Sequence, residues 1–260
     1  MYETILYEVN EGVATITLNR PDRFNAFNNT LSTELQQALK EAAKDKLVRV
    51  LVLTGAGKAF CSGQDLKDIQ GQTGVRNLGE SVEKRYNPLI KAIQNMPKPI
   101  ICRLNGVAAG AGCSLALACD MIVASEQASL IEVFANVGLV LDSGSSYFLP
   151  RAVGMKKAFE MATMASKITA IEAHALGLVN RVAKHDDLDS ELKLVTDYFA
   201  KAPTKAIGMI KKMLYQSTES SLSQMLQQEA YCQEIAGYSH DYQEGVAAFI
   251  EKRKPIFKGE

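Results

Sequence analysis

Apolar positions along the chain follow two periods in turn. Ile5–Val9 and Val13–Leu18 read as strands joined by the turn Asn10-Glu11-Gly12, and Asn19-Arg20-Pro21 ends the second. The spacing then becomes helical: Leu31, Leu35, Ala38, Leu39 and Ala42 share one face, with Asn29 or Thr30 placed to cap it. Val48–Leu53 is a continuous apolar run, as expected of a strand buried on both faces, and Thr54-Gly55-Ala56-Gly57 breaks it. Val82, Tyr86, Leu89, Ile90 and Ile93 mark a second helix, closed by Pro97-Lys98-Pro99, and Ile100–Leu104 is another strand. A small-residue turn, a buried helix near Ala111–Cys119 and a strand Met121–Ala124 follow. This alternation predicts crossover units and an α/β core. Beyond about residue 150 the spacing is helical throughout: Gly154–Met164, Ala170–Leu176, Leu188–Ala200, Pro203–Gln216, Leu222–Ala236 and Tyr242–Lys252.

Composition narrows the function classes. The 260 residues are 47% hydrophobic and 22% charged, enough for one sizeable core. Lys+Arg and Asp+Glu both number 29, and this zero net charge argues against nucleic acid or an anionic membrane as main partner. The five cysteines, Cys61, Cys102, Cys113, Cys119 and Cys232, form no C-x-x-C pair and sit mostly in apolar runs, so packed thiols are expected. His174, His185 and His240 lack metal-ligand spacing, and no metal is expected. No signal-like segment precedes the first strand and no apolar run reaches spanning length, so a soluble cytoplasmic protein is expected.

Two segments stand out chemically: Ala59-Phe60-Cys61-Ser62-Gly63-Gln64-Asp65-Leu66 and Gly106 to Cys113. Both follow a strand, where open α/β sheets place ligands. Neither fits a phosphate loop or G-x-G-x-x-G. One reading is a cradle in which one N–H from each turn meets a single oxygen, helped by the helix that begins at the second turn. The other is that small residues merely permit tight helix–strand packing.

The segments AFCSGQDL, PKPIICRLNGVAAGAGCSLALACDMIVAS, TAIEAHALGLVNRV and EGVAAFIEKRKPIF resemble the enoyl-CoA hydratase/isomerase (crotonase) superfamily, in family order over nearly the whole chain. The resemblance implies an α/β fold with a ββα spiral core over residues 1–200. A helical region, 201–260, would serve trimerisation and closure of the CoA site. It implies acyl-CoA thioester substrates, no separate cofactor because coenzyme A comes with the substrate, and assembly as homotrimers or hexamers. The backbone N–H groups of Gln64 and Ala111 would form the oxyanion hole. Ala111 stands where the family more often has Gly, and Ala keeps the N–H.

The departures bear on the reaction. Family hydratases hold water between two glutamates; the matching positions here are Ser114 and Phe134. A hydroxyl and a phenyl ring cannot act as an acid/base pair. Glu132 lies two residues before Phe134 and, on an extended strand, would face the same side at a different depth. Ser114, Glu132 and Phe134 are thus expected around the acyl group. Asp142, in Gly138-Leu139-Val140-Leu141-Asp142-Ser143-Gly144, precedes a short predicted helix; from the residues alone it reads as a cap on a solvated loop. Some superfamily isomerases place their working aspartate here. The GQDL turn, the YNPL segment Tyr86–Leu89 and Phe134 also resemble the ring-epoxide isomerases of bacterial phenylacetate degradation. One carboxylate with one oxyanion hole would move a double bond from the 3,4 to the 2,3 position, or isomerise a ring-epoxide acyl-CoA.

For CoA, the resemblance implies contacts from Arg23 and Ala26, from Ser62, Gly63, Asp65 and Leu66 on the adenine side, and from Phe249 and Lys252. Lys252 with Arg253 and Lys254 reads equally as a solvated helix face. Cys113 reads as a packed thiol. Ser143, Ser145 and Ser146 replace glycines common in relatives and are expected to reshape the acyl pocket. Two rivals remain: a hydratase using Glu132 or Asp142, and a non-catalytic acyl-CoA-binding or RNA-binding relative. Zero net charge disfavours RNA.

Overall fold

The computed structural model describes residues 2–66 and 77–260. Strands β1 (Ile5–Asn10) and β2 (Val13–Leu18) form the predicted antiparallel hairpin. Helix α1 (Asn29–Lys44) follows. Its cap is Asn28, one residue before the expected positions, because the extended backbone there lets Asn28 Oδ1 accept from Leu31 N–H at 2.8 Å. The face of Leu31, Leu35, Ala38, Leu39 and Ala42 is buried, as the spacing predicted.

Strand β3 (Val50–Gly55) is buried along its whole length. Then come β4 (Ala59–Cys61), α2 (Leu78–Ser81), a π-helical turn at Val82–Tyr86 and α3 (Asn87–Gln94). The predicted second helix is therefore a composite. Pro88 has no N–H for an ordinary helical bond, and Asn87 N–H instead reaches back to the Val82 carbonyl. Strands β5 (Ile100–Leu104) and β6 (Val107–Ala109) lead into α4 (Ala111–Leu117), then β7 (Met121–Ser125) and β8 (Ser129–Ile131). Helix α5 (Ser145–Met164) contains Pro150 and is broken at Gly154, with φ 75° and ψ 161°, so the expected helix from Gly154 is its second half. The chain ends with β9 (Ile168–Thr169), α6 (Ala170–Ala175), β10 (Arg181–Ala183), α7 (Leu188–Ala200), α8 (Thr204–Ser217), α9 (Leu222–Gly237) and α10 (His240–Ile250).

Two sheets result. The larger has six strands in the order β1-β2-β3-β5-β7-β10, parallel except for the first hairpin. The smaller has the order β4-β6-β8-β9. The two small-residue segments thus contribute strands β4 and β6 as well as turns. At three residues each they are too short for periodicity to reveal. Each ββα unit passes from the large sheet through the small one into a helix, which brings the turn after β4 and the turn after β6 side by side.

The C-terminal helices are tied to this core by charge. Lys211 Nζ on α8 lies 2.8 Å from Asp120 Oδ2 and also donates to the Ile93 carbonyl at 2.8 Å. Asp120 accepts from Ile100 N–H at 2.8 Å and from the Tyr215 hydroxyl at 3.1 Å. Lys211→Met would leave the Asp120 carboxylate buried without its cation. Urea unfolding should show a loss of about 3 kcal/mol; an unchanged midpoint would mean that the pair does not anchor α8.

Candidate active site

Gly63 has φ 89°, and a Cβ there would lie 2.8 Å from the Ala109 carbonyl oxygen and 3.5 Å from Ala111 N. Only glycine lets the first turn lie this close to the start of α4. Gly112 plays the reciprocal part: a Cβ there would collide with the Cys61 carbonyl of β4. Phe27 forms a parallel bridge with Gln64, its N–H donating to the Gly63 carbonyl at 2.7 Å while Asp65 N–H donates to the Phe27 carbonyl at 2.9 Å. Parallel pairing uses the groups flanking residue 64, so the N–H of Gln64 itself points away from Phe27. Ala111 is the first residue of α4, where helical N–H groups lack intrahelical partners. Neither amide has an acceptor among the described residues.

The Gln64 side chain is clamped. Its Oε1 accepts from the Tyr86 hydroxyl at 2.6 Å and its Nε2 donates to the Phe27 carbonyl at 3.0 Å, while Tyr86 and Phe27 meet edge-to-face at 5.5 Å. Arg20 Nη2 pairs with Asp65 Oδ2 at 2.8 Å, and a second Arg20 nitrogen donates to the Ala26 carbonyl. Asn25, fully buried at φ 57°, donates to the carbonyls of Ala56 and Ala59 at 2.9 and 2.8 Å. The segment 20–27 is thereby fixed against the turn 62–65.

Two carboxyls approach the start of α4 from the other side. Asp142 is half-buried; its Oδ1 accepts from the Ser143 hydroxyl at 2.7 Å and its backbone carbonyl lies 3.1 Å from Ser114 Oγ. Burial raises its pKa above the ordinary carboxylate value, against the opposing pull of the Ser143 hydroxyl. The chain reverses here with Ser143 at φ 52° and Gly144 at φ 84°. Glu132 is differently placed from the expectation of an extended strand. Strand β8 stops at Ile131, and Val133–Val137 is a 3-10 helix, so residues 132 and 134 do not alternate across a sheet. Glu132 and Ser114 each have no exposed surface. Phe134 is 7% exposed, and its ring tip would lie 3.8 Å from a Cβ at Gly110.

A protein-family model described as Enoyl-CoA hydratase/isomerase matches residues 8–260. The chain belongs to this family. It is 40% identical over 261 residues to an Escherichia coli protein named 1,2-epoxyphenylacetyl-CoA isomerase, covering 100% of both chains. It is 42% identical over 258 residues to a Rhodobacter capsulatus protein named "Probable enoyl-CoA hydratase", covering 99% of each. The crystal structure of enoyl-CoA hydratase from Bacillus anthracis superposes with a TM-score of 0.94 at 32% identity, over 99% of this chain and 100% of that one.

Within this hydratase/isomerase family frame the expected positions divide into groups. Gln64 and Ala111 are brought together, with Phe134 and Asp142 beside the α4 end of the pair. Arg23 is exposed next to buried Ala26, and Ser62, Gly63, Asp65 and Leu66 lie in the facing turn. The Asp65 carboxylate is already bound by Arg20. Phe249, 85% exposed, lies in the last turn of α10, which packs on α9, and exposed Lys252 lies just beyond that helix. All five thiols are buried, and burial pushes that of Cys113 well above its usual range. No metal-type cluster of His, Cys, Asp and Glu occurs among the described residues. Sequence reasoning missed Arg20 and Asn25, and it named Ser145 only as a residue reshaping the acyl pocket, whereas its hydroxyl lies between Ser114 and Glu132. Arg20 and Asn25 act within the Arg-Pro-Asp-Arg-Phe-Asn segment, where nothing in the spacing distinguishes Arg20 from Arg23.

Burial holds the Glu132 carboxyl up at about 7, against an ordinary value of 4.5. A raised folded pKa means the proton stabilises the fold. That contribution is fully present below about 4.5 and lost as pH rises through about 7. The loss amounts to roughly 3 kcal/mol at most. Wild type should therefore lose Tm between pH 6 and pH 9 relative to Glu132→Gln; parallel curves would show that Glu132 carries no buried charge.

Proposed function

We propose that the protein is an acyl-CoA isomerase that shifts a double bond through a thioester enolate. The observation that carries this reading is that one carboxyl, Asp142, remains partly open beside the start of α4. Ser114 is sealed there and Phe134 presents a ring. Addition of water needs a second group to orient and activate it, and the positions that would supply it hold a buried hydroxyl and a hydrocarbon.

In this reading the thioester oxygen lies between the N–H groups of Gln64 and Ala111. Each such donor is worth about 3 kcal/mol once negative charge develops on the oxygen. The proton alpha to the carbonyl becomes acidic and passes to Asp142. Oδ1 of that carboxylate is occupied by the Ser143 hydroxyl, and Oδ2 has no partner among the described residues. Partial burial makes it a stronger base. The enolate delocalises, and the same carboxyl returns the proton two carbons away. Phe134 excludes water from the reacting carbons. Arg23, Ala26, Ser62, Gly63, Asp65 and Leu66 would border the coenzyme, with Phe249 and Lys252 reaching it from α10. Arg23 has no ion-pair partner among the described residues and would meet phosphate directly, whereas Asp65 would act through the turn it braces with Arg20. Exposed Leu222, Leu226, Tyr238 and Ile250 suit the trimers expected from the resemblance.

The relative named as an epoxyphenylacetyl-CoA isomerase supports a ring-epoxide acyl group as the second substrate to test. Mass spectrometry of 3-enoyl-CoA, 2-enoyl-CoA and the ring-epoxide thioester in deuterated water decides the reaction. Isomerisation with deuterium uptake is expected, and Asp142→Ala should lower its rate about 1000-fold. A product heavier by one water would replace the isomerase reading with a hydratase. Full exchange in Asp142→Ala would remove Asp142 from the chemistry.

A further inference from the structure

A buried chain of hydroxyls runs behind Asp142. Glu132 Oε1 lies 2.6 Å from Ser145 Oγ, and Ser145 Oγ lies 2.8 Å from Ser114 Oγ. Ser114 Oγ is in turn 3.1 Å from the Asp142 carbonyl and 3.2 Å from the Gly110 carbonyl. Ser114 has one hydroxyl proton and three acceptors in reach. We propose that Glu132 is a positioning residue: through Ser145 and Ser114 it decides whether the Asp142 carbonyl receives a second hydrogen bond beside the one from Ser145 N–H. This rests on the reading of Asp142 as the proton carrier.

The logic is the direction of donation. If Glu132 is a carboxylate, Ser145 must donate to it. Ser145 Oγ is then the best acceptor for Ser114, and the Asp142 carbonyl keeps only the Ser145 N–H, which donates to it at 3.1 Å. If Glu132 is a neutral acid, its own O–H donates to Ser145, and Ser145 donates to Ser114. Ser114 then has only carbonyls to donate to, and its proton is shared between those of Asp142 at 3.1 Å and Gly110 at 3.2 Å. One proton thus reverses two hydrogen bonds and makes or breaks a third, which tightens or loosens the segment that carries the Asp142 carboxyl.

Other features agree. Glu132 and Ser114 have no exposed surface, so neither touches substrate directly. Glu132 Oε2 has no hydrogen-bond partner among the described residues, which a neutral acid tolerates far better than a buried carboxylate. The ionisable groups acting on it are Asp142, from the segment before α5, and the Cys113 thiol, from α4. The Asp142 charge opposes ionisation of Glu132, and the thiol is held neutral by burial. The Ser145 hydroxyl on α5 pulls the other way.

The test reads the relay and the chemistry separately. The amide resonance of Ser143 reports on the Asp142 carbonyl and is followed by NMR from pH 5 to pH 9. In wild type it should move with the same midpoint as the Glu132 carboxyl carbon. It should be flat in Glu132→Gln, which keeps an N–H donor toward Ser145, and flat in Ser114→Ala. In deuterium exchange from enoyl-CoA, Ser114→Ala should lose about tenfold in kcat with little change in KM. Glu132→Gln should keep the acid-side kcat and lose the fall at higher pH. A Ser143 shift that survives in Ser114→Ala, or a Glu132→Gln profile identical to wild type, overturns the relay. Full exchange in Asp142→Ala overturns the reading of Asp142 instead, and the amide titration then judges the relay alone.

Discussion

The close approach of two backbones is the constraint on which the site depends. The start of α4 rests on the Cys61 carbonyl because residue 112 has no side chain, and the turn after β4 lies against Ala109 because residue 63 has none. Given those two contacts, the amides of Gln64 and Ala111 fall next to each other with no acceptor among the described residues. The clamps around them follow from the same closeness. Tyr86 holds the Gln64 side chain, Arg20 holds Asp65, and Asn25 holds the loop before β4. Each removes a motion that would separate the amides.

Two carboxyls a few residues apart differ in role because they differ in burial. Asp142 precedes a reversal with two successive positive φ values; its backbone carbonyl is within reach of the buried Ser114 hydroxyl, while the residue itself stays half-buried. Glu132 leaves a strand into a 3-10 turn and ends fully buried beside Ser145 and Cys113. The same functional group is therefore proposed as a base in one place and as a hydrogen-bonding acid in the other, a division that environment alone can set.

The long elements were legible in the sequence because their periods persist over many residues. The buried faces of α1 and β3 and the run of helices after residue 150 are of this kind. The small sheet was not legible, since β4, β6 and β8 have three residues each and show no period. The composite helix at 78–94 read as one helix because its apolar spacing survives the π turn, while Pro88 was the sign of the break. Gln64, Ala111 and Asp142 were named through resemblance and not through pattern. A backbone amide leaves no mark in the residue type, and an aspartate before a helix looks like any cap. Glu132 was misplaced for a local reason: the strand ends one residue earlier than its apolar character suggests.

The parallel order of the large sheet has a consequence for how this site comes into being. Gln64 and Ala111 lie far apart along the chain, and between them the strands β5 and β6 must find partners that are distant in sequence. Their juxtaposition is a product of high contact order, so it forms slowly, after many loops have closed. No isolated fragment holds both amides in place. Recovery of thioester binding during refolding would therefore time the completion of the whole spiral, as a reporter that needs no label.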